Sequence, residues 1–373
     1  MSRGLRLVLA AGGTGGHLFP GIAVAEAIQR EAGAEVLFVG TANGMEKEIV
    51  PRLGFPLRLI PAEQLRGRDW RGMVRALWAA LLGLRAAWRV MQEFAPDLIF
   101  SIGGYASGPT VLAGWIKRIP CVLLEPNAIP GLANRLLGRL AAKICLGFPR
   151  TAQFFPPHKA VYTGNPLRWN TAVFPGHPSP RSEDLTVLVF GGSTGARHLN
   201  QVVPHALALL QQGGKTCRLI HQTGKADHTE VSTTYAQLHL KADVVPFIEN
   251  MQEMYVAADL VVCRAGAMTI AELTALGKPA ILIPYPYAAD DHQRANAEVL
   301  VQAGAARMIL DAELTPGRLS QEVGLLLTDR LKLSVMAQAS AALGRPDATA
   351  AVVRECLACV PQVRQPRQGE RGR

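Results

Sequence analysis

No stretch of this 373-residue chain approaches the roughly 20 consecutive apolar residues needed to cross a bilayer, which excludes a membrane-spanning helix. An apolar leader followed by a cleavage site is also missing, because the chain opens directly on a strand-like run. The expectation is a cytosolic protein, or one lying on a membrane from the cytosolic side. Cysteines number only six and sit scattered within apolar runs, which predicts buried free thiols rather than a disulfide framework. The one C-x-x-C, Cys356 to Cys359, falls late in a helical pattern without a second pair, so no metal or redox role is assigned to it. Neither a G-x-G-x-x-G with a following ribose-binding acid nor a G-x-x-x-x-G-K-[ST] occurs, which argues against dinucleotide and P-loop chemistry. A D-x-D is absent as well, so the chain offers no obvious acidic clamp for a metal-bound diphosphate. Acidic residues are scarce in one half only. Residues 1–168 hold 20 Lys and Arg against 10 Asp and Glu, whereas residues 169–373 hold 19 of each. The whole formal charge of +10 therefore belongs to the first half, which calls for an acidic partner: nucleic acid, anionic lipid or a phosphorylated substrate.

Glycine is plentiful where it matters. Gly12-Gly13-Thr14-Gly15-Gly16-His17 directly follows the apolar run from Leu5 to Ala10 and opens a helix-like segment. Such a strand–glycine–helix junction lets backbone N–H groups approach an anionic or sugar-bearing ligand, with the helix dipole adding positive potential. A tight turn that needs glycine for backbone angles alone is the alternative. Gly191-Gly192-Ser193-Thr194-Gly195 repeats the design after Leu185–Phe190, and Arg264-Ala265-Gly266-Ala267 repeats it after Leu260–Cys263.

Short Val/Ile/Leu runs alternate with longer amphipathic stretches throughout, which predicts parallel sheets covered by helices on both faces. Strands are expected at Leu5–Ala10, Glu35–Val39, Leu57–Ile60, Leu98–Ile102, Cys121–Leu124 and Lys143–Leu146. A second set is expected at Leu185–Phe190, Arg218–Gln222, Asp243–Val245, Leu260–Cys263, Ala280–Ile283 and Arg307–Ile309. The fold class is thus α/β, with two Rossmann-like, doubly wound domains facing across a cleft that holds the ligand. The expected division is a first domain over 1–164 and a second over 165–340, with a disordered basic tail over 361–373. The turn-rich stretch at 175–180 follows the join.

Residues 71–93 read as one helix. Met73, Leu77, Leu81, Leu84, Trp88 and Met91 form a stripe expected to face the sheet. The opposite face gathers Arg71, Arg75, Arg85 and Arg89 with Trp78 and Leu82, a mixture suited to an anionic headgroup boundary. Gly67–Trp70 and Gly114–Arg118 could extend that patch. A helix buried on both faces is the alternative, and no nucleic-acid motif accompanies the arginines.

In the second half, the segment starting at Ala267 can turn its helix N-terminus toward a diphosphate, with Glu272 one turn in and able to accept from two ribose hydroxyls. Otherwise Glu272 is a surface helix residue. His292-Gln293-x-x-Asn296 offers amides and an imidazole suited to sugar hydroxyls.

These motifs together resemble family 28 glycosyltransferases, the bacterial cell-wall enzymes that add N-acetylglucosamine to lipid I to make lipid II. The matching segments are Gly12–His17 with Pro20-Gly21, Gly103-Gly104-Tyr105-Ala106-Ser107-Gly108-Pro109, Glu125-x-Asn127 and Ile129-Pro130-Gly131. Gly164-Asn165-Pro166-x-Arg168, Gly191–Ala196, Arg264–Glu272 and His292–Asn296 complete the set, so the likeness runs from about residue 5 to 357. The resemblance implies a glycosyltransferase B fold with UDP-N-acetylglucosamine as donor, lipid I as acceptor, and inverting transfer to the acceptor C4 hydroxyl. It places the acceptor on the membrane-facing first domain (1–164) and the donor mainly on the second (165–340), with a helix at about 341–360 packing back on the first domain. It implies no cofactor and no metal site, and a peripheral position on an anionic membrane at the cytoplasmic face of the inner membrane.

By position, Ile248 would face uracil and Glu272 the ribose. The run Ala267, Met268, Thr269, Ile270, Ala271, together with Ser193 and Arg168, would serve the diphosphate, and Arg264 would belong to the donor site. Gln293 and Asn296 would hold the sugar, while Thr14, Gly15, Gly16 and Asn127 reach it from the first domain. Tyr105, Glu125 and Asn134 fall on the acceptor side. His17 is the candidate base, or else a group that binds acceptor phosphate or caps the turn. Leu124 and Pro126 stand where the family commonly has His and Gln, and Thr194 where Gln or Leu is commoner. These departures bear on acceptor contacts, not on the donor site. The rival readings are a glycolipid galactosyltransferase, a UDP-sugar epimerase of the same architecture, and a non-catalytic peripheral membrane scaffold.

Overall fold

The computed structural model describes residues 4–12, 15–62, 70–168, 185–192 and 196–360, with backbone only over 70–77. Thr14, Ser193, the side chains of Arg71 and Arg75, the 175–180 stretch and the 361–373 tail lie outside the described residues. The chain divides into two compact units. One comprises residues 1–126, 130–168 and 347–373; the other comprises 127–129 and 169–346.

Unit 1 is built on seven strands: β1 (Arg6–Ala11), β2 (Glu35–Gly40), β3 (Leu57–Leu59), β4 (Leu98–Gly103), β5 (Cys121–Glu125), β6 (Lys143–Leu146) and β7 (Ala160–Tyr162). They lie in the order β3-β2-β1-β4-β5-β6-β7, and each paired neighbour is parallel. The central strands are apolar on both faces, and β4 and β5 are buried at every residue because helices cover the sheet on both sides. The helices of this unit are α1 (Gly15–Ala32), α2 (Glu46–Arg52), α3 (Trp70–Phe94), α4 (Ser107–Ile116) and α5 (Leu132–Leu137).

Unit 2 repeats the plan with β8 (Thr186–Phe190), β9 (Arg218–Gln222), β10 (Asp243–Val245), β11 (Leu260–Cys263), β12 (Ala280–Leu282) and β13 (Ala306–Met308). Their order is β10-β9-β8-β11-β12-β13, again parallel throughout. Its helices are α6 (Arg197–Gln212), α7 (His228–Gln237), α8 (Met251–Ala257), α9 (Ala267–Ala275), α10 (His292–Gln302), α11 (Pro316–Thr328) and α12 (Arg330–Leu343). On α6 the buried Leu199, Val202, Val203, Ala206 and Leu210 recur at three- and four-residue spacing, the apolar stripe of a helix laid on a sheet.

The final helix, α13 (Ala348–Cys359), belongs to unit 1, where Val352, Val353 and Cys356 join the core beside α1. Thr349 fastens its start: the hydroxyl donates to the Leu167 carbonyl at 3.1 Å and accepts from the Leu167 N–H at 3.2 Å.

The twelve expected strands are present, and β7 is an addition; three residues of middling burial leave too short a pattern to read. The predicted stripe of α3 needs correcting. Gly83, Ala87, Val90 and Met91 face inward, whereas Leu81 is half exposed. Glycine decides that rotation, since a Cβ at Gly83 would strike the Pro61 carbonyl oxygen and only glycine allows so close an approach. Among the described residues, no helix is long and apolar enough to cross a membrane.

Candidate active site

In a parallel sheet, the loops that leave the carboxyl ends of two neighbouring strands in opposite directions open a crevice for a ligand. The two sheets place that switch between β1 and β4 in unit 1 and between β8 and β11 in unit 2. The sequence puts its glycine-rich turns at these ends.

In unit 1, Gly103 ends β4 and Gly104 follows it, with φ of 109° and 85°, a region that side chains with a Cβ rarely enter. A Cβ on Gly104 would also collide with the Gly12 carbonyl oxygen, so the loop after β4 presses directly on the loop after β1. Ser107 Oγ donates to the Gly103 carbonyl at 2.6 Å and holds that loop against the start of α4. His17, in the first turn of α1, is partly exposed, and its ring edge lies 3.7 Å from where a Gly103 Cβ would stand. Gly16 is exposed beside it, Gly15 is half-buried, and Tyr105 is exposed.

Glu125 and Asn134 are different. Both are buried, and Glu125 Oε2 accepts from Asn134 Nδ2 at 3.0 Å and from the Gly131 N–H at 3.1 Å. The same Asn134 amide donates to the Leu124 and Ile102 carbonyls at 3.1 and 3.3 Å. These two residues tie β4, β5 and α5 together beneath the surface instead of presenting polar atoms to an acceptor. Arg168 also lies in unit 1, 3.7 Å from the Glu26 carboxylate and with its guanidinium 5.8 Å from the Phe19 ring centroid.

In unit 2, α9 starts at Ala267 after an extended Gly266, which leaves the first-turn amides pointing out of the helix N-terminus. Met268 and Thr269 are partly exposed there, Ile270 is buried, and Ala271 and Glu272 are partly buried. Glu272 Oε2 accepts from the Tyr255 hydroxyl at 2.8 Å. Apolar surroundings push its carboxyl up to about 7, against the opposing pull of that hydrogen bond.

Gln222, at the end of β9, binds two neighbours. Its Nε2 donates to the Gly192 carbonyl at 3.1 Å and its Oε1 accepts from the Ile248 N–H at 3.2 Å. Gln222 thereby couples the second glycine loop to Ile248, the residue expected to face uracil. Gln293 is partly buried and accepts from the Tyr285 N–H at 2.9 Å through Oε1, so its amide Nε2 is the end that remains for a sugar hydroxyl.

Asn296 and Arg264 do not present themselves to a ligand. Asn296 is fully buried; its amide donates to Asn127 Oδ1 and the Ala265 carbonyl, and its Oδ1 accepts from the Ala128 N–H at 2.8 Å. Arg264 is buried, with Nη1 on the Ile283 and Pro284 carbonyls, both at 3.2 Å, and on Asp311 Oδ1 at 2.5 Å. Asp311 also meets His198 Nδ1 at 3.0 Å, and these hydrogen bonds hold its carboxyl below the usual range despite partial burial. Arg264 therefore braces the ends of β11 and β12. Gln222, Tyr255, His198 and Asp311 escaped sequence reasoning. Only Gln222 carried a signal, as a polar residue closing an apolar strand just before Gly224.

Two parallel-sheet units, each with a glycine turn at its switch point, define the architecture of the glycosyltransferase B class. The glycosyltransferase family 28 N-terminal domain matches residues 7–146 and the family's C-terminal domain matches 186–352. The chain belongs to glycosyltransferase family 28. It is 42% identical to a Myxococcus xanthus relative over 98% of this chain and 96% of that one. That relative is named UDP-N-acetylglucosamine–N-acetylmuramyl-(pentapeptide) pyrophosphoryl-undecaprenol N-acetylglucosamine transferase. Among solved structures, Acinetobacter baumannii MurG superposes with a TM-score of 0.80 at 33% identity, covering 95% of this chain and 99% of that one. A Neisseria meningitidis UDP-GlcNAc 2-epimerase shares the fold alone, with a TM-score of 0.65 at 13% identity over 95% of this chain and all of that one.

Proposed function

We propose that this chain transfers N-acetylglucosamine from UDP-N-acetylglucosamine to the C4 hydroxyl of the muramyl sugar of lipid I, giving lipid II and UDP in peptidoglycan synthesis. The observation that carries the reading is the start of α9 and Glu272, present in a chain that matches a relative named for this reaction along nearly its whole length. The first-turn amides of α9 suit the diphosphate, where negative charge grows as the glycosidic bond breaks. Glu272 suits the ribose diol, and the Gln293 amide suits a sugar hydroxyl. His17 is the candidate base for the attacking hydroxyl. It stands at a glycine-lined helix start, where an imidazole nitrogen can take the proton of an attacking hydroxyl.

The acceptor binds unit 1 and the lipid tail stays in the bilayer, with the enzyme at the cytoplasmic face of the inner membrane. Exposed Trp78 and Leu82, with Arg85 and Arg89 exposed on the same helix, support that placement. The test is incubation of the purified protein with UDP-N-acetylglucosamine and a short-chain lipid I analogue, with the product linkage read by NMR. A β-linked disaccharide is expected. An epimerised nucleotide sugar formed without acceptor, or galactose transfer to diacylglycerol, rejects the reading.

A further inference from the structure

Glu46 opens α2, yet its side chain is fully buried. Three glycines surround it. A Cβ at Gly12 would stand 2.5 Å from its Oε1, and a Cβ at Gly40 or Gly44 would collide with the same side chain. The carboxyl group is therefore pressed against the backbone of the loop after β1 and of the loop after β2. Its Oε1 also accepts from the Thr41 N–H at 2.7 Å and from Thr41 Oγ1 at 3.1 Å, which fixes it in place. On the far side of Gly12 stands Gly104, so the loops after β2, β1 and β4 form one stack across the switch point, with Glu46 at its base. A buried group that fills a space left by three glycines fixes Gly12 against β2, because a packed neighbour transmits displacement instead of absorbing it. His17 lies five residues after Gly12.

We propose that Glu46 is a positioning residue for the acceptor: it sets the Gly12 loop and the start of α1, and through them acceptor affinity and turnover, without touching any ligand. The inference rests on the transferase reading given above. Donor contacts in unit 2 are independent of it. Truncating Glu46 thus separates the acceptor from UDP, which lacks the sugar that Gly15 and Gly16 are expected to reach, and a general loss of stability would not do so.

The test compares E46A, E46Q and G12A with the unaltered enzyme in the transfer assay, alongside UDP binding by calorimetry. E46A is expected to raise acceptor KM about tenfold and lower kcat, while UDP Kd stays within about twofold. E46Q keeps the volume and the acceptor for Thr41 and is expected to restore most of the acceptor KM. G12A adds the colliding methyl and is expected to mimic E46A, whereas G12A/E46A should be milder than the product of the single effects because the clash is relieved. Should E46A fail to fold, T41V and G12A carry the same comparison. Unchanged acceptor KM in folded E46A, or in T41V and G12A, overturns the role, as does an equal loss of UDP affinity. Absence of product from the unaltered enzyme instead removes the transferase reading itself, and the acceptor role with it.

Discussion

Glu272 has two opposed influences on one carboxyl. Burial lifts its pKa to about 7, while the Tyr255 hydroxyl favours the charged form. An ionised carboxylate accepts from both hydroxyls of a ribose diol, and a protonated one accepts from only one. In the role proposed for Glu272 at the ribose, donor affinity is expected to be full well above pH 7 and to fall as pH drops through that value. Between about pH 7.5 and 6, KM for UDP-N-acetylglucosamine is expected to rise several-fold, with E272Q weak throughout and nearly flat across the range. Initial-rate measurements at fixed saturating acceptor check this, and a flat wild-type profile contradicts it. E272A removes charge-assisted bonds of about 1.5–3 kcal/mol each, so at least tenfold weaker UDP binding is expected by calorimetry. For His17 the split runs the other way. H17A is expected to lower kcat about 100-fold or more while UDP Kd holds, and unchanged turnover would remove the imidazole from the chemistry.

At the scale of elements, the strands and the glycine turns were readable because each depends on local order: an apolar run, then residues that permit close backbone approach. What local order does not reveal is which polar residues turn inward. Glu125, Asn134, Asn296 and Arg264 sit in motifs that look like ligand contacts, yet each is buried on partners brought together by the fold. Glu46 is hidden for the same reason, since its cradle of Gly12, Gly40 and Gly44 assembles only when β1 and β2 pair. His221 shows how such burial acts on stability. It joins β9 to α6 and α7: its Nε2–H donates to Asn200 Oδ1 at 3.2 Å and its Nδ1 accepts from the Tyr235 hydroxyl at 3.0 Å. This assignment follows because the Asn200 amide already donates to the Thr223 carbonyl and Asp227. Both ring nitrogens are used by the neutral form, and burial lowers the pKa from 6.5 to about 3. Unfolding lets the ring take a proton that the folded state refuses. The contribution of His221 is thus intact above about pH 6.5 and is lost progressively as pH falls toward 3, at up to roughly 1.4 kcal/mol per pH unit. Urea titrations at several pH values are expected to show a shallower acid slope for H221Q than for the unaltered protein. Parallel slopes would show that the imidazole contributes nothing.

For the whole molecule, charge and exposed apolar surface coincide on unit 1. The excess of Lys and Arg lies within residues 1–168, and α3 leaves Trp78, Leu81 and Leu82 exposed by 63%, 50% and 52%. Helix α4 packs along α3, with Pro109 beside Gly83 and Lys117 Nζ 4.3 Å from the centroid of the Trp88 ring. Trp115 and Ile116, which precede Lys117 at the end of α4, are exposed as well. A helix pair with apolar side chains at intervals and guanidinium groups between them suits a headgroup layer: rings and aliphatic chains enter the acyl boundary while arginines meet phosphate. Burying each large side chain contributes about 1.5–3 kcal/mol, and each basic residue about 1 kcal/mol near an anionic leaflet. W78S/L82S is therefore expected to weaken binding to vesicles containing anionic lipid by at least about tenfold in a sedimentation assay. R85E/R89E should weaken it too, and should also flatten its dependence on salt, because only the arginine contribution is screened. Neither pair should change kcat with a water-soluble acceptor analogue. Equal vesicle binding by all three proteins would place the membrane contact elsewhere on the chain, whereas a fall in kcat with the soluble analogue would mean that α3 supports the active site rather than the bilayer.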